Sequence, residues 1–316
     1  MTPLVSILMP TYNHARFITQ AVESAMMQET EFPFELVISD DCSTDGTLAL
    51  ARALQARFPC RIRLFAQAQN GGLLKNYKFL LEHATGKYLA ILESDDVWTD
   101  ARKLQKQVSY LEAHTECALV CSDYTTINEG GAHTGNVVKD FDSGLGGDWY
   151  GALMAFSSIG ALTLVFRRTA FDAWCNIDDY IERRFQTFDR PTWLCIAANA
   201  KCHFLHEMLA AYRVMSSSIS NSGAFEKALS FADSIMDIHE YAIEKYGLRG
   251  ISRAAFDDMK EIWYINLCVM HRKFHEFREH ARRLSGATTQ HKIMRSFPAL
   301  WWLQYTLRHP KPPHLK

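Results

Sequence analysis

The chain has 316 residues, 48% hydrophobic and 22% charged, with a formal charge of -1. This composition suits a globular protein with one large core or two modest ones; it excludes disordered and fibrous classes, and the balanced charge argues against a nucleic-acid binder working through a global basic field. Eight cysteines, at 42, 60, 117, 121, 175, 195, 202 and 268, form no CxxC pair and no regular framework, so reduced thiols are expected. Met1-Thr2-Pro3 leads straight toward a strand without a basic, then apolar, leader, and no stretch of about twenty apolar residues follows. A cytoplasm-facing protein without a spanning helix is the expectation.

Leu4 to Met9 predicts a buried strand stopped by Pro10, then a helix from about His14 to Gln28 with Phe17, Ile18, Ala21, Val22 and Ala25 at helical spacing. A second strand, Phe34 to Ser39, leads through the polar turn Asp40 to Asp45 into a helix from about Thr44 to Arg57, with Asp45 or Thr44 as cap. Arg61 to Ala66 is a third strand, Leu73 to His83 a helix, and Tyr88 to Leu92 a fourth strand. Such alternation implies right-handed βαβ units and a mostly parallel α/β sheet flanked by helices. Further on, Lys103 to His114 reads as helix, Cys117 to Tyr124 as strand, Asn128 to Gly151 as loops or a hairpin, Leu162 to Phe166 as strand, Asp189 to Ala200 as helix and Cys202 to Val214 as strand. From Gly223 the composition changes, and Phe225 to Tyr246, Ser252 to His271, Phe274 to Leu284 and Thr288 to Leu307 all read as helices.

The informative stretch is Lys87 to Trp98, KYLAILESDDVW. Its apolar run ends abruptly in Glu93-Ser94-Asp95-Asp96, which gathers three carboxylates at the C-terminal end of a strand. Ligands bind at that edge in open α/β sheets, and hard oxygen donors there suit Mg²⁺ or Mn²⁺ holding a phosphorylated substrate. The plain alternative is an acidic loop capping a helix near Thr99-Asp100.

Val5 to Asn13 (VSILMPTYN), Leu36 to Thr47 (LVISDDCSTDGT), Asn70-Gly71-Gly72 with Lys75-Asn76, and this acidic stretch together resemble the family 2 glycosyltransferases, nucleotide-sugar-dependent enzymes of the GT-A fold. The resemblance is strong over the first two fifths of the chain and weaker to about Ser222. It implies a GT-A catalytic domain over 1-222 and leaves a helical C-terminal domain over 223-316. It further implies that Pro10, Thr11, Tyr12 and Asn13, with Asp40 or Asp41, hold the base and ribose, and that Asn70, Lys75 and Asn76 lie near the nucleotide and diphosphate. Asp95, with Asp96, would bind the cation bridging the diphosphate. Glu93 stands where many relatives have Asp, and with Ser94 it would face the donor. Asp189, before the helix that holds Trp193, would be the base that takes the acceptor's proton, although an N-cap role explains the same residue. Tyr212-Arg213-Val214-Met215 resembles a family segment that often reads Tyr-Arg-Val-His. Met215 replaces the histidine and leaves Arg213, His203, His206 or water near the diphosphate; the two histidines, three apart on a strand, face opposite ways.

The activity implied is inverting transfer of a sugar, a UDP-sugar first among donors, to a hydroxyl of a glycan or lipid-linked acceptor. A sugar nucleotidyltransferase is a rival that lacks its Gly-rich loop here, and a non-catalytic nucleotide or glycan-binding scaffold is another. Near the C-terminus, Trp301, Trp302 and Tyr305 sit among Lys292, Arg295 and Arg308, a pattern that fits peripheral membrane contact, packing within the helical region or an oligomer contact.

Overall fold

The computed structural model describes residues 2-137, 147-215 and 224-308, with side chains to 303. Strands β1 (Val5–Thr11), β2 (Phe34–Asp40), β3 (Ile62–Ala66) and β4 (Tyr88–Ile91) alternate with helices α1 (Ile18–Met26), α2 (Thr47–Arg57) and α3 (Leu73–His83). They lie side by side as β3-β2-β1-β4, all parallel. The chain leaves β1 toward β2 and β3, then returns to place β4 on the other side of β1. That reversal opens a crevice at the strands' carboxyl ends between β1 and β4, the topological switch point where such sheets bind ligands.

Every residue of β1, β2 and β4 is buried, as expected of strands covered on both faces. β1 also continues through Pro10 to Thr11, past the stop expected at the proline. Leu8 accepts from the Leu92 N–H on the β4 side, and alternate residues of a strand face the same neighbour, so Pro10 faces that side too. β4 has ended at Ile91 by then, so the N–H that proline lacks has no ladder partner to miss.

The rest of the sheet is mixed. β5 (Val97–Trp98), β6 (Cys117–Ile127), β7 (His133–Val137), β8 (Val165–Arg167) and β9 (Lys201–Arg213) extend the order as β4-β8-β6-β9-β5, with β7 forming a hairpin on β6. The two-residue β5 was not expected; it places Val97 and Trp98 against Ala211 and Ala210. The expected strand from Leu162 begins instead as a 3-10 turn, Ala161–Thr163. Helices α4 (Lys103–Ala113), α5 (Trp149–Met154), α6 (Arg168–Trp174), α7 (Ile177–Glu182) and α8 (Asp189–Asn199) complete the chain to β9. Residues 138-146, in the segment read as loop or hairpin, and the serine-rich run 216-222 lie outside the described residues.

The chain divides into two compact units: Met1–Tyr150 with Ser158–Met215, and Gly151–Ser157 with Ser216–Lys316. Phe156 explains the exchange of the short segment, since its ring stacks on His239 at 4.4 Å and lies 5.0 Å from Trp263. The second unit holds α9 (Phe225–Tyr246), α10 (Arg253–Met270), α11 (Phe274–Arg283), α12 (Thr289–Ser296) and α13 (Pro298–Arg308). The last two replace the single helix expected from Thr288, because Pro298 cannot donate to the turn before it and starts a new helix. Trp301 stacks on Phe277 at 5.3 Å, and Trp302 lies 5.4 Å from Phe274, so both indoles pack within this unit. Among the described residues, no helix is long and apolar enough to cross a membrane.

Candidate active site

The loops after β1 and β2 are laced together. Asn13, at φ 57°, donates its N–H to Ser43 Oγ and accepts the Thr44 N–H on Oδ1; the His14 N–H reaches Thr47 Oγ1, and that of Ala15 reaches Asp45. Tyr12 projects from this frame 45% exposed, leaving an aromatic face free for a ligand to lie on. Asp41 receives the Gly71 and Gly72 N–H groups, one on each carboxylate oxygen, at 2.8 and 2.9 Å, which draws the start of α3 to the end of β2. Gly72 sits at φ 83°, a conformation that favours glycine. Asn70 donates to the Asp41 carbonyl, and Lys75 is exposed on the first turn of α3. Asp40 accepts the Ser43 N–H on Oδ2. Its Oδ1, Thr11 Oγ1 and Asn76 Oδ1 are buried without a hydrogen-bond partner among the described residues. Buried polar atoms seldom stay unpaired, so this edge has capacity for donor groups or ordered water.

The acidic turn follows β4. Ligand oxygens of Glu93, Asp95 and Asp96 all lie within 4.8 Å of one another. Ser94 faces the other way; its hydroxyl meets His14 Nδ1 at 2.7 Å and the Pro10 carbonyl at 3.3 Å, tying the turn to β1. Asp96 is buried and accepts the Arg213 N–H at 2.8 Å, while the Asp95 carboxylate has no hydrogen-bond partner among the described residues. Arg213, expected at the diphosphate, is instead buried over the Phe17 ring. Its guanidinium donates to the carbonyls of Asp95, Asn128 and Glu129 and to Gln20 Oε1. It therefore clamps the turn from behind.

Asp189 joins this cluster from the start of α8. Burial raises its pKa against the hydrogen bonds from the Thr187 hydroxyl and the Arg190 N–H, both to Oδ1. Burial, with the charges of Asp95 and Asp189, pushes Glu93 up to about 8 although the Tyr77 hydroxyl donates to it at 3.2 Å. Burial, Asp95 and Glu93 raise Asp96 well above the carboxylate range, with the Arg213 N–H opposing. Carboxylates that resist ionising together are what a divalent cation relieves, and three oxygen donors fit a hard ion. Glu93 and Asp95 are half-buried and Asp96 is buried; one oxygen of Glu93 accepts from Tyr77 and one of Asp96 from the Arg213 N–H.

Tyr77 is the member that sequence reasoning missed. It is buried on α3, stacks on Phe188 at 4.1 Å and so joins Glu93 to the residue before Asp189. Its helical spacing with Leu74, Leu80 and Leu81 marks a core residue, and nothing local reveals where its hydroxyl goes. The histidines lie elsewhere: His203 stacks on Tyr110 at 3.7 Å, and His206, half exposed, lies 4.0 Å from Asp123. Among the other carboxylates of this half, Asp178 pairs with Lys78 and Asp179 accepts from Asn176.

Residues 6-158 match the sequence profile of Glycosyl transferase family 2. At 29% identity over 266 residues, 80% of this chain aligns with 96% of Escherichia coli WfgD, named as a UDP-Glc:alpha-D-GlcNAc-diphosphoundecaprenol beta-1,3-glucosyltransferase. Mycobacterial proteins 41% identical over 128 residues are matched over only 37% of their own length. In structure, S. aureus TarS 1-349 in complex with UDP-GlcNAc superposes with a TM-score of 0.58 at 16% identity over 89% of this chain and 81% of that one. Mannosyltransferase PcManGT from Pyrobaculum calidifontis, in complex with GDP-Man and Mn²⁺, gives 0.58 at 17% identity over 97% and 84%. These likenesses establish the GT-A-like fold, with its mixed sheet and helical C-terminal region. The family profile covers the sheet strands that carry Asp40, Asp41 and the Glu93–Asp96 turn, so it is residues 6-158 of this chain that match glycosyl transferase family 2.

Proposed function

We propose that this protein transfers a sugar from a nucleoside-diphosphate donor to a hydroxyl acceptor with inversion, in one displacement. The observation that carries this reading is the convergence of Glu93, Asp95 and Asp96, from the one turn after β4, with Asp189, from the start of α8, whose charge acts on Glu93. The base and ribose would lie against Tyr12 and the edge formed by Thr11, Asn13, Asp40 and Asp41, with Asn70, Lys75 and Asn76 beside it. Lys75 is placed to offer a point charge to phosphate oxygens. When bound at Asp95 and Asp96, with Glu93 beside them, Mn²⁺ or Mg²⁺ would supply charge neutralisation for the diphosphate leaving group.

Asp189 takes the proton of the attacking hydroxyl as its oxygen bonds to the anomeric carbon. The bond from that carbon to the diphosphate oxygen breaks, and nucleoside diphosphate leaves. Burial raises the pKa of Asp189, making it a stronger base than a surface aspartate. Tyr77 holds Glu93 in position, and Arg213 holds the backbone of the turn. A UDP-sugar is the donor best supported, because WfgD and TarS are both described with one. WfgD's name likewise supports a lipid-linked acceptor, and the use of a nucleotide-sugar supports a reaction on the cytoplasmic side.

Calorimetry with UDP, with GDP and with Mn²⁺ tests this. UDP should bind with Mn²⁺ and lose at least about tenfold in affinity with chelator or in Asp95→Ala, since carboxylates repel a diphosphate unless a cation intervenes. Unchanged affinity in both cases would remove the metal role.

A further inference from the structure

The last stretch of the chain carries a charge pattern that the transfer reaction does not use. From residue 280 to 316 there are seven Lys or Arg and no Asp or Glu, whereas the other residues hold 27 against 35. A nearly neutral chain thus has a basic end on an acidic body. Arg282, Arg283, Lys292 and Arg295 are exposed here.

The same segment sorts its apolar side chains onto two sides. Met294, Trp301 and Trp302 turn inward, the first buried and the indoles against Phe274 and Phe277. Ile293, Phe297, Leu300 and Leu303 turn outward, 45%, 59%, 64% and 56% exposed. Single exposed apolar residues are ordinary, but here four large ones lie within eleven residues, one on α12, one at the break before Pro298 and two on α13.

We infer that this outward face of α12 and α13 docks on an anionic lipid surface, with the apolar side chains entering the headgroup boundary and the surrounding basic groups meeting lipid phosphates. The charge pattern selects this occupant. A second copy of the chain meeting the face isologously would set one carboxylate-free basic segment against another, and the like charges would repel. A nucleic acid would satisfy the charge and leave the apolar run in water. Anionic lipid answers both. The inference goes beyond the transfer reaction and stands whichever donor is used.

Co-sedimentation of the full chain with vesicles tests it. The protein should pellet with phosphatidylcholine vesicles containing about one third phosphatidylglycerol and stay in solution with pure phosphatidylcholine; about 1 M salt should weaken the binding by screening. Ile293→Ser, Phe297→Ser and Leu300→Ser combined should lower the bound fraction by about tenfold or more with an unchanged melting temperature, since all three sites are exposed. Arg282→Glu, Arg283→Glu and Lys292→Glu combined should abolish the preference for anionic vesicles. Equal binding to both vesicle types, no binding to either, or retention by both variants would overturn the inference. A concentration-dependent dimer that the serine variant dissociates, with no vesicle binding, would instead assign the face to a second copy.

Discussion

Asp189 is the first residue of α8 and not its N-cap, which is Phe188 and carries no side-chain cap; its Oδ1 is committed to the Thr187 hydroxyl and the Arg190 N–H, so the proposed proton transfer would fall to Oδ2. Asp189→Asn keeps an acceptor oxygen for the Thr187 and Arg190 bonds and loses the capacity to take a proton. Transfer should fall by roughly a hundredfold to ten-thousandfold, with donor affinity and melting temperature nearly unchanged. A variant that melts lower yet turns over normally per folded molecule would leave the residue only its hydrogen bonds to Thr187 and Arg190. At this scale residue type was legible and task was not. Asp40 and Asp41 are adjacent and alike in sequence, yet one closes the glycine turn before α3 while the other keeps an unpartnered oxygen. Arg213 is in sequence one candidate among several for the diphosphate, and only the structure shows its guanidinium on Gln20, Asp95 and Asn128, which are distant in the chain.

Elements followed local patterning wherever the period was long enough to declare itself. α3 and α9 occupy their expected residues, and Ser252 caps α10 by accepting the Ala255 N–H. Short pieces escaped: β5 has two residues and exists only because Ala210 and Ala211 lie beside it. The entry to β4 shows how tightly an element can be set. A Cβ on Gly86 would stand 2.5 Å from the Ser6 backbone nitrogen, while Ser6 Oγ accepts the Gly86 and Thr85 N–H groups and donates to Glu35 at 2.6 Å. Gly86→Ala should therefore destabilise the protein by about 1 to 3 kcal/mol, the usual range for overpacking against an unyielding neighbour. Thermal or denaturant melting reads it, and an unchanged midpoint would mean that the turn can shift.

Stability against pH belongs to the molecule as a whole, and one interior lysine gives it a slope. Lys103 is fully buried, its ammonium over the Trp98 ring at 4.3 Å and 2.7 Å from Gln107 Oε1. Gln107 in turn donates to the carbonyls of Val120 and Thr163, and the Trp98 indole to that of Leu162. Burial pushes the Lys103 pKa down from 10.5 to about 7. Between those values the unfolded chain binds the proton and the folded chain does not, so this group makes stability rise with pH from about 7 to 10.5 and withholds that gain below. Lys103→Met, of similar length, should flatten the melting temperature over that window relative to wild type. Parallel profiles would show that the amine stays charged inside. The same network anchors Trp98, two residues beyond Asp96, so the floor under the acidic turn is a polar lattice within the core.

By itself the sequence determined the alternation of strands and helices, the position of the acidic turn at a strand's end and the change to helices after residue 223, because periodicity, caps and strand ends depend on neighbours along the chain. Only the tertiary structure decided which polar groups meet. Asn13 finds Ser43, Tyr77 finds Glu93, Asp96 finds the Arg213 N–H, and Phe156 leaves its neighbours for His239. Each pair is separated by at least sixteen residues, and no local period encodes such a meeting; it follows from where the crossovers return the chain and from the need of each buried polar atom for a partner. The raised pKa values at the site have the same origin, since burial and converging charge exist only after the sheet has closed around them.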